Sequence, residues 1–280
     1  MKKYLSLIKF SHTIFAMPFA FIGFFLAKSD SFQWDTLVYV ILCMIFARSA
    51  AMAFNRYIDR DIDTANPRTN KIREIPNGSI TANSALLFVI ANSLLFITTT
   101  YLINLLCFIL SPIALITILG YSYTKRFTIL CHLFLGLGLS LAPIGAYLAV
   151  SGAFDIIPIL FSFVVLFWVS GFDIIYSLQD EEFDSKNNLK YIPVYFGKKN
   201  ALIIAKTLHL FTFCILFIIG LFYNFGSFYW IGFSIFTILL IYQHTLIKYN
   251  NLSKINIAFF TTNGIASIIF GIFVILDTLI

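Results

Sequence analysis

Long apolar runs separated by short polar stretches recur along the whole chain, and none alternates with the period of two expected of a barrel strand. Taken in order they give nine candidate spans, at about residues 10–27, 37–57, 84–103, 105–123, 130–150, 156–175, 201–221, 228–247 and 257–276. Each is close to the roughly 20 residues that carry a helix across a bilayer. Lipid satisfies no backbone N–H or C=O, so helices are the form these runs must take. The expected fold class is an all-α polytopic membrane protein of nine transmembrane helices. It forms one integral membrane domain over residues 1–280, with no separate soluble domain and no low-complexity linker.

The breakers agree with these boundaries. Pro18 kinks the first span or fixes its packing, and Asn104 marks a tight turn between the third and fourth spans. Pro67 is expected to end the helix that follows span two, Asn77-Gly78 reads as a turn, and Gly197 breaks the chain before span seven. In span five, Gly136, Gly138, Gly145 and Ala146 permit close approach of another helix. The first span superficially resembles a signal peptide. No small-residue cleavage site follows Phe15-Ala16-Met17-Pro18 and the apolar run continues, so the span is expected to be retained.

Composition supports the membrane reading: 60% of residues are hydrophobic and only 11% charged, against about a quarter charged in a soluble domain. The net charge of +6 raises nucleic acid as a partner, but its distribution excludes that class. Only Lys28 of the 19 Lys and Arg falls in a loop expected outside; the rest lie in inside loops or at flanking helix ends. This positive-inside pattern predicts a multi-pass protein of the cell inner membrane, with its N terminus cytoplasmic and its C terminus periplasmic. Cys43, Cys107, Cys131 and Cys214 lie in or at the edge of apolar runs without metal-ligand spacing, and read as small hydrophobes. His12 stands apart from any other candidate ligand and reads as a packing or hydrogen-bonding residue.

The chemistry concentrates after spans two and six. Asn55, Asp59 and Asp63 are spaced i, i+4, i+8 and share one face of a helix; Asp173, Tyr176, Asp180 and Asp184 repeat the arrangement at steps of three, four and four. Crowded carboxylates at a membrane boundary repel one another and need cations. Mg2+ bridging carboxylates and a substrate diphosphate is the simplest chemistry that uses both clusters. Alternating spans put both on the cytoplasmic side, as one composite site requires. Basic residues follow each: Arg68, Lys71 and Arg73 after the first, and Lys186, Lys190, Lys198 and Lys199 after the second, placed to meet phosphate. Arg48 lies two turns before Asn55 on nearly the same face. It is either a structural partner of an aspartate or a contact to an anionic substrate. Asp61, turned about 200° from Asp59, reads as a solvated or capping residue.

Asn55-x-x-x-Asp59-x-x-x-Asp63 and Asp173-x-x-Tyr176-x-x-x-Asp180-x-x-x-Asp184 together resemble the paired signature of UbiA-type intramembrane prenyltransferases. The resemblance runs over nearly the whole chain and implies a UbiA-like helical bundle. It implies that Asn55, Asp59, Asp63, Asp180 and Asp184 hold Mg2+. It also implies that Arg48, Asn55, Arg68, Lys125, Arg126 and Tyr176 bind substrate, and that Asp59, Asp63, Asp173, Asp180 and Asp184 form the catalytic set. Asp173 is additionally placed to polarise a phenol or accept its proton. One departure stands out. The family commonly has Asn-Asp where this chain has Asn55-Arg56, a cation in place of a possible metal ligand.

The segments Ser11-His12-Thr13-Ile14-Phe15-Ala16-Met17-Pro18-Phe19 and Arg73-Glu74-Ile75-Pro76-Asn77-Gly78 resemble the bacterial 4-hydroxybenzoate polyprenyltransferase branch. The implied reaction is Mg2+-dependent transfer of a polyprenyl group from polyprenyl diphosphate to a hydroxylated aromatic acid, in respiratory quinone biosynthesis. The first expectation for the acceptor is 4-hydroxybenzoate, with a hydroxynaphthoate of the futalosine route to menaquinone as the alternative. An ion-coupled secondary transporter is the alternative from another class. It accounts less well for carboxylates gathered on one side and followed by phosphate-compatible loops. Membrane lipid is the expected surrounding; neither nucleic acid nor an obligate protein partner is implied.

Overall fold

The computed structural model describes residues 2–8, 16–27 and 32–280. Ser11, His12, Lys28 and Asp30 lie outside them. The described chain is helical: α1 (Lys2–Leu7), α2 (Met17–Leu26), α3 (Trp34–Ile58), α4 (Arg60–Ala65), α5 (Ala82–Ile103), α6 (Leu105–Thr124), α7 (Cys131–Ser151), α8 (Ile156–Ser177), α9 (Glu181–Lys186), α10 (Ile192–Phe222), α11 (Ser227–Leu246) and α12 (Asn263–Leu279). Eight of these segments are long and apolar enough to cross a membrane; of the first expected span, the described part is the ten-residue α2. The boundaries fall within a few residues of the hydrophobic pattern except at α12, whose expected start is taken by a π-helical turn (Ile257–Thr262), and at α10. That helix begins at Ile192, with Pro193 in its first turn, and breaks at Gly197 before continuing through the apolar span.

The chain divides into two compact units, one holding α1, α3 to α5 and α6 as far as Tyr123, the other α2 and the chain from Thr124 onward. In the first unit α3 packs along α5. Ala50 and Ala53 are fully buried there beside Ala85 and Val89, small side chains that let two backbones approach where lipid offers no hydrophobic drive. Thr81 begins α5 by accepting from the Ser84 N–H.

In the second unit α8 is the central helix, packed against α7, α10 and α2. Its Phe161 and Trp168 meet Phe19, Phe236 and Phe270 in the core, and the Trp168 indole donates to Asn263 Oδ1 at 3.1 Å. Close approach between α7 and α8 depends on Gly136, where a Cβ would collide with the Leu166 carbonyl and Ser170 Oγ. Gly145, expected to serve the same purpose, has open space beside it. Two aspartates outside the acidic clusters cap helices: Asp155 accepts from the Ile157 N–H at the start of α8, and Asp277 from the Gly226 and Tyr229 N–H groups at the start of α11.

Candidate active site

The two acidic stretches are built to one local plan. α3 ends at Ile58, Asp59 takes φ −89°, ψ 2°, and the six-residue α4 follows. α8 passes through a 3-10 turn (Leu178–Asp180), Asp180 takes φ −104°, ψ 3°, and the six-residue α9 follows. The middle aspartate of each motif therefore stands at a helix break, and the last aspartate is buried on the short helix beyond it: Asp63 is 4% exposed and Asp184 6%. At the first break the helical register survives, because Asp59 N donates to Asn55 O and Asp63 N to Asp59 O. Asn55, Asp59 and Asp63 thus keep the shared face that their spacing predicts.

Around the first stretch the side chains form a chain of bonds. Arg56 Nη1 donates to Asn55 Oδ1 at 3.1 Å, and Asn55 Nδ2 donates to Asp59 Oδ2 at 2.9 Å. Arg56, the departure from the family pattern, is thus a buried cation that orients the motif's asparagine. The Asn55 oxygen keeps a second lone pair for a further ligand. Asp63 Oδ2 accepts from Arg73 Nη1 at 2.9 Å. The loop returns Arg73 to Asp63 through Asn66, whose N–H caps α4 on Ile62 O, and Thr69, which donates to Asp63 O and accepts at its carbonyl from Arg73 N. Glu74, 4% exposed, accepts from Ser6. Arg68 donates its backbone N–H to Asn66 Oδ1. Arg48 is half-buried with its Nε unbonded, and Tyr121 is within electrostatic reach. Asp61 is exposed, 4.0 Å from Arg60, as a solvated residue.

In the second unit, Lys125 and Arg126 follow α6 in a turn that is pinned down. Lys190 N donates to Lys125 O at 2.7 Å, Lys190 Nζ to Phe127 O, and Cys131 Sγ to Lys190 O. Tyr176, one turn past Asp173, packs against Phe259 with ring centroids 4.1 Å apart and meets Phe260 edge-on. Both phenylalanines come from a π-helical turn (Ile257–Thr262) that leads into α12. Asn263 Nδ2 donates to the Ala258 and Phe259 carbonyls, supporting that wider turn. Asp173 Oδ2 is 2.7 Å from His132 Nδ1. Reading the sequence missed His132; an ionisable side chain in the first turn of an apolar span was the available signal.

Among the described residues, no three His, Cys, Asp or Glu side chains stand close enough together to hold a metal ion. The donors present are hard oxygens, and Mg2+ is commonly held by one or two carboxylates completed by substrate phosphate and water. The donor set therefore fits Mg2+ delivered with a diphosphate.

Helical spans with two such acidic helix ends define an intramembrane enzyme of the prenyl-transfer type, and comparison with known proteins agrees. Residues 16–265 match the UbiA prenyltransferase family, and the chain belongs to it. It is 33% identical over 240 residues to a 4-hydroxybenzoate octaprenyltransferase of Vibrio parahaemolyticus, covering 85% of this chain and 83% of that protein. It is 31% identical over 258 residues to the enzyme so named from Nitrosomonas eutropha, covering 92% and 89%. Among solved structures, the apo form of a UbiA homolog from Aeropyrum pernix K1 superposes with a TM-score of 0.87 at 30% identity, over 95% of this chain and 98% of that one. A UbiA homolog from Archaeoglobus fulgidus bound to DMAPP and Mg2+ superposes at 0.74 with 25% identity, over 99% of each.

Proposed function

We propose that this protein transfers a polyprenyl group from an allylic diphosphate to 4-hydroxybenzoate, with Mg2+ as its metal. The observation that carries the reading is the repeated acidic helix end, with Asp59 and Asp180 at matched backbone breaks and Asp63 and Asp184 buried one turn on. Curated relatives at 33% and 31% identity carry the name 4-hydroxybenzoate octaprenyltransferase, which supports both the donor class and the ring.

In this reading Asn55, Asp59, Asp63, Asp180 and Asp184 would hold Mg2+. Bound Mg2+ neutralises diphosphate and makes it a better leaving group. Arg68, Lys125 and Arg126 bind the remaining phosphate charge, and Arg48 offers a cation to either the phosphate or the acceptor's carboxylate. The allylic C–O bond breaks with its electron pair leaving on diphosphate. The ring carbon ortho to the hydroxyl forms the new C–C bond and then gives up its proton to the released diphosphate, which restores the aromatic ring. Asp173 accepts a hydrogen bond from the ring hydroxyl as charge develops on it, with Tyr176 beside it. The protein is placed in the cell inner membrane with its acidic helix ends facing the cytoplasm and its C terminus in the periplasm, because nearly all basic residues lie on that inner side.

The test offers purified protein one all-trans polyprenyl diphosphate with 4-hydroxybenzoate and, separately, 1,4-dihydroxy-6-naphthoate, and compares kcat/KM by product mass. Preference for 4-hydroxybenzoate is expected. Preference for the naphthoate replaces the acceptor, and prenylation of neither ring defeats the reading.

A further inference from the structure

We propose that His132 is the positioning residue for Asp173, fixing one carboxylate oxygen so that the other meets the acceptor's hydroxyl; this rests on the prenyl-transfer reading above. His132 lies in the first turn of α7 and Asp173 near the end of α8. The Nδ1–Oδ2 distance is 2.7 Å, and the two side chains are 0% and 23% exposed. The imidazole is therefore wholly inside while an edge of the carboxylate stays open.

A carboxylate only accepts hydrogen bonds, so Nδ1 carries the proton shared with Asp173. Nε2 is buried with no hydrogen-bond partner among the described residues. The ring commits Nδ1 to Asp173, with the Cys131 thiol the other polar side chain that interacts with it. The backbone around it is closely packed as well: Ser170 Oγ, one turn before Asp173, shares its proton between Leu166 O at 2.6 Å and the His132 carbonyl at 3.1 Å, and Gly136, one turn after His132, lets α8 close on α7. Cys131, the residue before His132, reaches Lys190 O through its Sγ, and Lys190 N in turn donates to Lys125 O. Titratable groups beside the pair are Cys131 on α7 and Tyr191, whose ring centroid is 5.5 Å from that of His132.

An isolated carboxylate in a span is costly, and a freely rotating one aims poorly. A single buried donor on one oxygen answers both problems and leaves the exposed edge for substrate. The role assigned to His132 is to hold and aim. The proton and prenyl balance of the reaction is unchanged by it.

The experiment compares wild type with His132→Ala, His132→Asn, Asp173→Asn and the His132→Ala/Asp173→Asn double variant. Transfer kinetics are measured with 4-hydroxybenzoate or, if that is the preferred acceptor, the naphthoate. Binding of a non-reactive thiolodiphosphate analogue of the prenyl donor with Mg2+ is measured separately. Asparagine is the informative substitution because its amide nitrogen falls near the place of Nδ1. His132→Ala is expected to lower kcat by about 100-fold with analogue binding within about twofold of wild type. His132→Asn is expected to recover most of the loss, and the double variant to match Asp173→Asn, since a residue acting through Asp173 has nothing left to position. Wild-type kcat in His132→Ala overturns the proposal. So does failure of His132→Asn to recover activity, or a double variant that falls below Asp173→Asn by the full factor of the single change. If the alanine variant does not fold, His132→Asn against Asp173→Asn carries the same comparison. A wild-type protein that prenylates neither ring defeats the functional reading and this inference with it, which is distinct from active wild type with indifferent variants.

Discussion

Arg73 Nη1 lies 2.9 Å from Asp63 Oδ2, joining the last carboxylate of the first acidic stretch to a cation ten residues further along the chain. The Asp63 side chain is 6% exposed and that of Arg73 22%, so the pair is largely shielded and its loss strands a buried charge. Arg73→Gln is expected to lower unfolding free energy by about 1.5–3 kcal/mol, the range for hydrogen bonds to charged groups. Mg2+ with a diphosphate analogue is expected to recover part of the loss by supplying Asp63 with another cation. Chemical or thermal unfolding in detergent, with and without Mg2+, reads both effects; wild-type stability under both conditions contradicts the role given to this pair.

Gly197 has φ +75° and ψ 160° within α10, a conformation open in practice only to glycine, yet a Cβ there would touch nothing within 4 Å. The cost of Gly197→Ala is therefore backbone strain alone, about 1–3 kcal/mol. Gly145→Ala is the control: its Cβ also meets open space, and its backbone is helical, so gain or neutrality is expected. Equal melting shifts for the two variants would show that the break in α10 relaxes without penalty.

The spans were legible in the sequence because lipid forces long apolar runs into helices, and the boundaries at Asn104 and Pro67 follow from local breakers. The acidic motifs were legible because helical spacing survives the break at Asp59. The break itself was not legible, since Ile58-Asp59-Arg60 contains neither glycine nor proline. Arg56 looked like a lost ligand because its side chain's direction is set by tertiary burial, which turns it onto Asn55. Arg73 and Asp63 come together through a loop whose path depends on Asn66 and Thr69 side chains. His132 and Asp173 are 41 residues apart on different helices, a pairing that periodicity along one helix does not report.

The proposed orientation in the membrane rests on the charge distribution and is open to direct labelling. Single cysteines at Asn77, Thr128 and Asn187, each in a background without the native cysteines, are expected to resist an impermeant thiol reagent applied outside intact cells and to react after permeabilisation. Labelling of any of the three from outside would contradict the topology, separating the two acidic clusters or inverting the protein.

The central claim is that the two acidic helix ends act through Mg2+ on a prenyl diphosphate, and the direct measurement is prenyl transfer by folded Asp59→Asn and Asp180→Asn proteins across a Mg2+ titration, beside wild type in EDTA. The account predicts turnover reduced by orders of magnitude in both variants, with the fold intact, and no transfer by wild type in EDTA until Mg2+ is restored. Near-wild-type turnover in both variants, or full activity in EDTA, would contradict it.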